Sequence, residues 1–212
     1  MTRMLAGLKK WTLCGLLMLA ASASAHSAPK TVLVLGDSLS AEYGLSKGSG
    51  WVALLEKKLK DEKIDASVLN ASISGETTSG GRSRLPALLA QHHPNIVVIE
   101  LGANDGLRGQ PVAAAEANLR EMIEVSTKNK ARVMLIGMRM PPNYGREYTE
   151  RFFGMYKELA NQYKAPLVPF MLEGVADKPQ LFQQDRLHPT AEAHPIILAT
   201  IWPTFAALAK AK

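Results

Sequence analysis

The sequence predicts an α/β fold: a five-stranded parallel sheet with helices on both faces, giving three layers, α/β/α. Three observations predict it. Short apolar runs alternate with longer amphipathic stretches. The first three runs end in loops rich in glycine and polar residues. No repeat, low-complexity tract or long linker divides the chain. Such βα alternation builds a parallel sheet covered on both sides. Right-handed crossovers then carry the strand ends to one edge.

The elements follow in order. Arg3, Lys9 and Lys10 open a leader whose apolar part, Leu13 to Ala23, is uncharged and ends in Ala23-Ser24-Ala25. This is the pattern of a secretory signal peptide cleaved after Ala25, and the apolar run is short for a retained bilayer span. The expectation is one exported domain over residues 26–212, periplasmic or secreted, with no membrane anchor after cleavage. Thr31 to Leu35 is the first strand. Trp51, Leu54, Leu55 and Leu59 recur at helical spacing, with Lys57, Lys58 and Lys60 on the wet side. Ala66 to Leu69 is a second strand. A helix from about Arg82 to Gln91 stops before Pro94. Ile96 to Leu101, apolar except for Glu100, is a strand buried on both faces. Val112 to Lys128 is helical, Arg132 to Gly137 a fourth strand, Glu147 to Tyr163 helical, and Leu167 to Phe170 a short fifth strand. Thr190 caps a last helix to about Ala207, which Pro195 and Pro203 should kink or divide. Five strands in this rhythm suggest a flavodoxin-like order, although sequence does not fix it.

Composition excludes several function classes. The leader holds three of the 25 Lys and Arg and none of the 19 acids, so residues 26–212 carry only +3. That is too little to indicate nucleic acid. The single cysteine, Cys14, lies in the leader, and the residues before it do not suit lipid attachment. Residues 26–212 therefore use neither disulfides nor thiol chemistry. No His-x-x-x-His occurs, so no metal is expected. Phosphate-loop and dinucleotide-binding glycine patterns are missing, and no cofactor is expected. The elbow Gly-x-Ser-x-Gly is also missing.

The chemistry gathers at the strand ends. Strand one runs into Gly36-Asp37-Ser38, strand two into Asn70 to Gly75, and strand three into Gly102-Ala103-Asn104-Asp105-Gly106. In open α/β sheets ligands bind at the carboxyl edge. Taken alone, Asp-Ser also suits a turn or a helix cap. Asp185-Arg186-Leu187-His188-Pro189 supplies what a hydrolytic site lacks. Ser38 offers a nucleophilic hydroxyl, His188 a base and Asp185, three residues earlier, an acid to orient it. The backbone N–H groups of Ser38 and Gly75 and the amide of Asn104 are candidate oxyanion donors. Asp37 reads as holding its own loop. Asp105 and Glu76 are rival acids or supporting groups. His26 stands at the new N-terminus, His92 and His93 close a helix, and His194 lies beside the last one. Leu107, Met138, Met140 and Tyr144 are candidate walls of an acyl pocket, with ordinary core nearly as good a reading.

The blocks Gly36 to Ser40, Asn70 to Gly75, Gly102 to Gly109 and Asp185 to Pro189 resemble the SGNH (GDSL-type) hydrolases, and within them the periplasmic thioesterase I, lysophospholipase and arylesterase group. Arg84 to Leu89 and Pro142 to Gly145 extend the likeness over most of residues 26–212. The resemblance implies a compact five-stranded fold with a shallow site and no cofactor. It makes Ser38 nucleophile and first oxyanion donor, Gly75 and Asn104 the other donors, His188 the base and Asp185 its partner. That group usually has Asp at Glu76 and Gly at both Ala103 and Arg186. These departures bear on substrate preference rather than on activity. The expected activity is hydrolysis of acyl thioesters, lysophospholipids and simple or aryl esters by a monomer. A carbohydrate O-acetylesterase is the alternative, and a non-catalytic binding domain is a more distant one.

Overall fold

The computed structural model of the protein describes residues 29–211, so the leader expected over residues 1–25 lies outside the described residues, as does His26. Five strands form one sheet: β1 (Lys30–Gly36), β2 (Ala66–Asn70), β3 (Ile96–Glu100), β4 (Arg132–Ile136) and β5 (Leu167–Val168). Their order is β2-β1-β3-β4-β5, and every pairing is parallel. This is the flavodoxin-like order. The helices are α1 (Trp51–Asp61), α2 (Thr78–His92), α3 (Ala103–Leu107), α4 (Val112–Lys128), α5 (Arg146–Tyr163) and α6 (His194–Lys210). α1 packs on α6, while α4 packs between α2 and α5, giving one group of helices for each face.

Burial explains the strands. All five residues of β3 are buried, as are Val32 to Gly36 of β1. A parallel strand covered on both faces needs apolar side chains pointing both ways, which a continuous run supplies and an alternating one does not. The central pair β1–β3 therefore carries the core. The edge strand β2 is only partly buried.

Three elements differ here from the sequence reading. α2 begins at Thr78, four residues early, because the Thr77 side chain accepts from Gly80 N at 3.3 Å. Pro86 lies within α2 on an exposed position, where the carbonyl it leaves unpaired can face water. β5 is two residues long rather than four. The last helix is not divided. Pro195 sits in its first turn, where its missing N–H has no intrahelical partner to lose, and exposed Pro203 is accommodated inside a continuous α6.

Candidate active site

β1 ends at a crowded point. A Cβ on Gly36 would come within 2.7 Å of Glu100 Oε2 and 2.8 Å of the Ser40 side chain, so only glycine lets the carboxylate of β3 approach here. Buried Glu100 accepts from Ser40 Oγ at 2.6 Å and from Asp37 N at 3.3 Å. Ser40 in turn accepts from Trp51 Nε1 at 3.1 Å. Asp37 is buried as well. Its Oδ1 accepts from Leu39 N and its Oδ2 from Asn104 Nδ2, both at 3.0 Å. These bonds fix the turn that presents Ser38 at the sheet edge.

Burial shapes the two acids beneath the serine. Desolvation pushes the Asp37 carboxyl up to about 6, against the hydrogen bond from Leu39, the field of His188 and the hydrogen bond from Asn104, which all favour its charged form. Desolvation and the neighbouring Asp37 carry the Glu100 carboxyl well above the ordinary range. Two carboxyls sharing a dry pocket cannot both ionise cheaply.

Ser38 Oγ stands 2.9 Å from His188 Nε2, and His188 Nδ1 stands 2.7 Å from Asp185 Oδ2. Asp185 Oδ1 accepts from the backbone N–H of His188 at 3.0 Å and of Leu187 at 2.9 Å. Those two bonds, then the imidazole's, lower the Asp185 carboxyl to about 2. An ionised Asp185 requires Nδ1 to donate, which leaves Nε2 to accept from the serine hydroxyl.

The expected oxyanion donors converge on the same place. Ser38, Gly75 and Asn104 all line one cavity with His188. Among the described residues, the backbone N–H groups of Ser38 and Gly75 have no protein acceptor. Asn104 Nδ2 uses one donor on Asp37 and has a second left. Gly75 has φ of +79° with open space where a Cβ would stand, so its conformation rather than crowding calls for glycine. The loop after β3 that reads as Asn-Asp-Gly turn chemistry is the short helix α3.

The rival acids do other work. Asp105 is buried and accepts from Thr78 N at 2.9 Å and Thr78 Oγ1 at 2.6 Å, anchoring the start of α2. Glu76 pairs with Arg84 Nε at 2.7 Å, and Arg84 also holds Ala71 O at 3.0 Å. Neither touches His188. His194 is buried too, with Nδ1 accepting from Trp51 N at 3.0 Å at the start of α1, and burial lowers its proton affinity.

The cavity holds about 970 Å³ and is mainly apolar, toward the upper end of the roughly 300–1,000 Å³ of small-molecule sites. Leu107, Met138 and Met140 line it. Tyr144 does not. Its hydroxyl donates to Leu107 O at 2.8 Å, bracing that wall from outside the cavity. The polar tip of Tyr144 is thus spent on a carbonyl of the Leu107 loop rather than turned to the cavity. Sequence reading missed Tyr43, whose ring centroid lies 4.3 Å from that of His188. It also missed Gln183, whose Nε2 donates to Tyr43 O at 2.9 Å and Pro189 O at 3.0 Å, tying the two loops together. An isolated aromatic in a loop carries no sequence signal of such a contact. No group of three or more His, Cys, Asp or Glu among the described residues is arranged to hold a metal ion.

An open parallel sheet whose first strand ends in a serine bonded through histidine to aspartate defines a serine hydrolase. The GDSL-like lipase/acylhydrolase family pattern matches residues 34–196, and the chain belongs to that family. It is 50% identical over 179 residues to the esterase TesA of Pseudomonas aeruginosa, covering 84% of this chain and 89% of that one. It is 46% identical over 171 residues to thioesterase 1/protease 1/lysophospholipase L1 of Escherichia coli, covering 81% of each. Among solved structures, the psychrotrophic esterase EstA of Pseudoalteromonas, inhibited by monoethylphosphonate, superposes with a TM-score of 0.81 at 42% identity, covering 84% of this chain and 98% of that one. The chain is a serine ester hydrolase.

Proposed function

We propose that this hydrolase cleaves acyl thioesters, lysophospholipids and simple or aryl esters through an acyl-enzyme on Ser38. The observation that carries the assignment is the continuous chain Ser38–His188–Asp185, with contacts of 2.9 and 2.7 Å, at an apolar cavity of about 970 Å³. His188 Nε2 takes the hydroxyl proton as Ser38 Oγ bonds to the acyl carbon. The carbonyl oxygen becomes an oxyanion facing the N–H groups of Ser38 and Gly75 and the amide of Asn104. Collapse breaks the bond to the thiol or alcohol, which leaves with the proton from His188. Water, deprotonated by the same imidazole, then attacks the acyl carbon and releases the carboxylic acid and Ser38. Asp185 stays ionised throughout and holds the tautomer. The relatives' names, an esterase and a thioesterase/lysophospholipase, support this substrate range.

The apolar lining favours acyl chains longer than acetyl over a carbohydrate acetate. The leader pattern at residues 1–25 supports export with cleavage after Ala25, and the domain is proposed to act as a monomer. Replacing Ser38 with Ala should abolish turnover of a p-nitrophenyl acyl ester; retained turnover overturns the assignment. A series from acetyl to palmitoyl esters should then show kcat/KM rising over the first several carbons, by up to about fourfold for each buried methylene. A maximum at acetyl would support the carbohydrate acetate instead.

A further inference from the structure

The large exposed apolar residues are not scattered. Among the described residues, the exposed large hydrophobics are Tyr43, Ile73 and Leu187, at 49%, 48% and 44% exposure. All three stand on loops at the rim of the active site. Tyr43 packs its tilted ring against His188 and is held there through Gln183. Leu187 is the neighbour of His188, and both Tyr43 and Leu187 line the cavity mouth. Ile73 is tied to the end of β1 by its N–H on Gly36 O at 3.1 Å, two residues before Gly75.

Cations share this rim. Arg108 donates to Gly75 O at 3.1 Å. Arg186 and Arg139 line the cavity, the latter with its guanidinium over the rings of Phe153 at 4.2 Å and Phe170 at 5.3 Å. None of the three has a carboxylate within 4.0 Å among the described residues. The acids nearby are engaged: Asp185 by His188, Glu150 by Arg146 at 3.8 Å, and Glu42 by the N–H groups of Gly48 and Gly50. Apolar tips among uncompensated arginines are what an anionic interface selects. The tips enter the acyl boundary, while long arginine stems keep their charges at the level of the phosphates. A surface that exposes its large apolar side chains in one place marks an interaction site rather than ordinary scatter.

We propose that this rim docks the enzyme on an anionic phospholipid surface, so that the cavity mouth faces the layer from which an amphiphilic acyl ester is drawn. The proposal rests on the lipid-ester reading of the site, but its test does not depend on turnover. The S38A protein, which cannot consume lipid, is floated with vesicles of phosphatidylcholine alone and of phosphatidylcholine containing phosphatidylglycerol. It should associate with the second and hardly with the first, and added salt should weaken that association. I73D should lower the association by about tenfold or more, the effect of losing one buried aliphatic side chain, and R186G should lower it by about fivefold, the effect of one cation near an anionic surface. In the Ser38 background, I73D should leave hydrolysis of a water-soluble short-chain p-nitrophenyl ester unchanged while slowing hydrolysis of lysophospholipid presented in anionic vesicles. No association, equal association with both vesicles, or wild-type association by I73D would overturn the proposal. So would a concentration-dependent dimer that I73D abolishes, since the rim would then bind a second copy. Loss of soluble-ester turnover in S38A, with no vesicle association, would separate a correct catalytic reading from a wrong docking one.

Discussion

The two halves of the site are built in opposite ways. Ser38 stands over a buried lattice: Trp51 to Ser40, Ser40 to Glu100, Glu100 to Asp37 and Asp37 to Asn104, with every one of these bonds between 2.6 and 3.3 Å. His188 stands on the surface loop 183–190, where Asp185, Arg186 and Leu187 are exposed. That loop is closed by local bonds to Asp185, by Gln183 and by the Phe182–Pro189 bridge. The proposed nucleophile is therefore positioned by the core, and the proposed base by a few bonds within one turn. The difference teaches where function and stability separate: on the histidine side they should come apart, and beneath the serine they should not.

The largest effect should come from H188A. Loss of the base should lower kcat/KM on a p-nitrophenyl ester by about 10⁵–10⁶. The melting temperature should stay within a few degrees, because the loop contributes little to the core. A collapse in melting temperature would break the comparison. D185N should follow, at about 10⁴ in kcat, because an asparagine amide no longer dictates that Nδ1 carries the proton. Asp185 titrates near 2, below its ordinary value, so it contributes stability above about pH 4 that is lost as the pH falls toward 2. Its exposure keeps that contribution small. N104A crosses the divide. It removes a proposed oxyanion donor, at about 10²–10³ in kcat, and also strips buried Asp37 of a hydrogen bond, so a fall in melting temperature should accompany the loss. Intact stability in N104A would show the Asp37 bond to be unimportant.

The same contrast explains how legible each half was. Ser38 could be read because an apolar strand stopped at Gly-Asp-Ser, and His188 because an acid lay one turn before it; both signals are local. The β1–β3 core was legible for the same reason. His194 was not, because its partner, Trp51 N, lies 143 residues away in sequence. Nor was Glu100, the lone acid in a buried run, whose partners come from the end of another strand. α3 is too short, at five residues, for any periodicity to show. The start of α2 leaves little trace because two glycines in its first turn mask the threonine cap.

D37N probes the serine side through pH. The folded state raises the Asp37 carboxyl from 3.8 to about 6, so it holds that proton more tightly than the unfolded chain does. Wild-type stability from this group is therefore greatest below about pH 4 and declines as pH rises through about 6. Asparagine cannot titrate. Its amide also places donors against Asn104 Nδ2, so D37N should be less stable throughout. The deficit should shrink between pH 4 and pH 7, read from thermal melts at a series of pH values. A deficit that grew with pH would mean the buried carboxylate is stabilised by its donors more than it is penalised by burial.

R186G should give the smallest effect and sharpen the comparison most. Arg186 has φ of +56°, a left-handed conformation, between the acid and the base. A side chain there costs about 1–2 kcal/mol, whereas glycine loses about 0.5–1 kcal/mol more on folding through its freer unfolded state. The two largely offset, so urea denaturation should show a gain between zero and about 1.5 kcal/mol. The Asp185–His188 bonds do not use the Arg186 side chain, so turnover of a neutral soluble ester should hold. A large fall in that turnover would mean that the strained residue holds the base in place, and that the histidine side is more tightly built than its exposure implies.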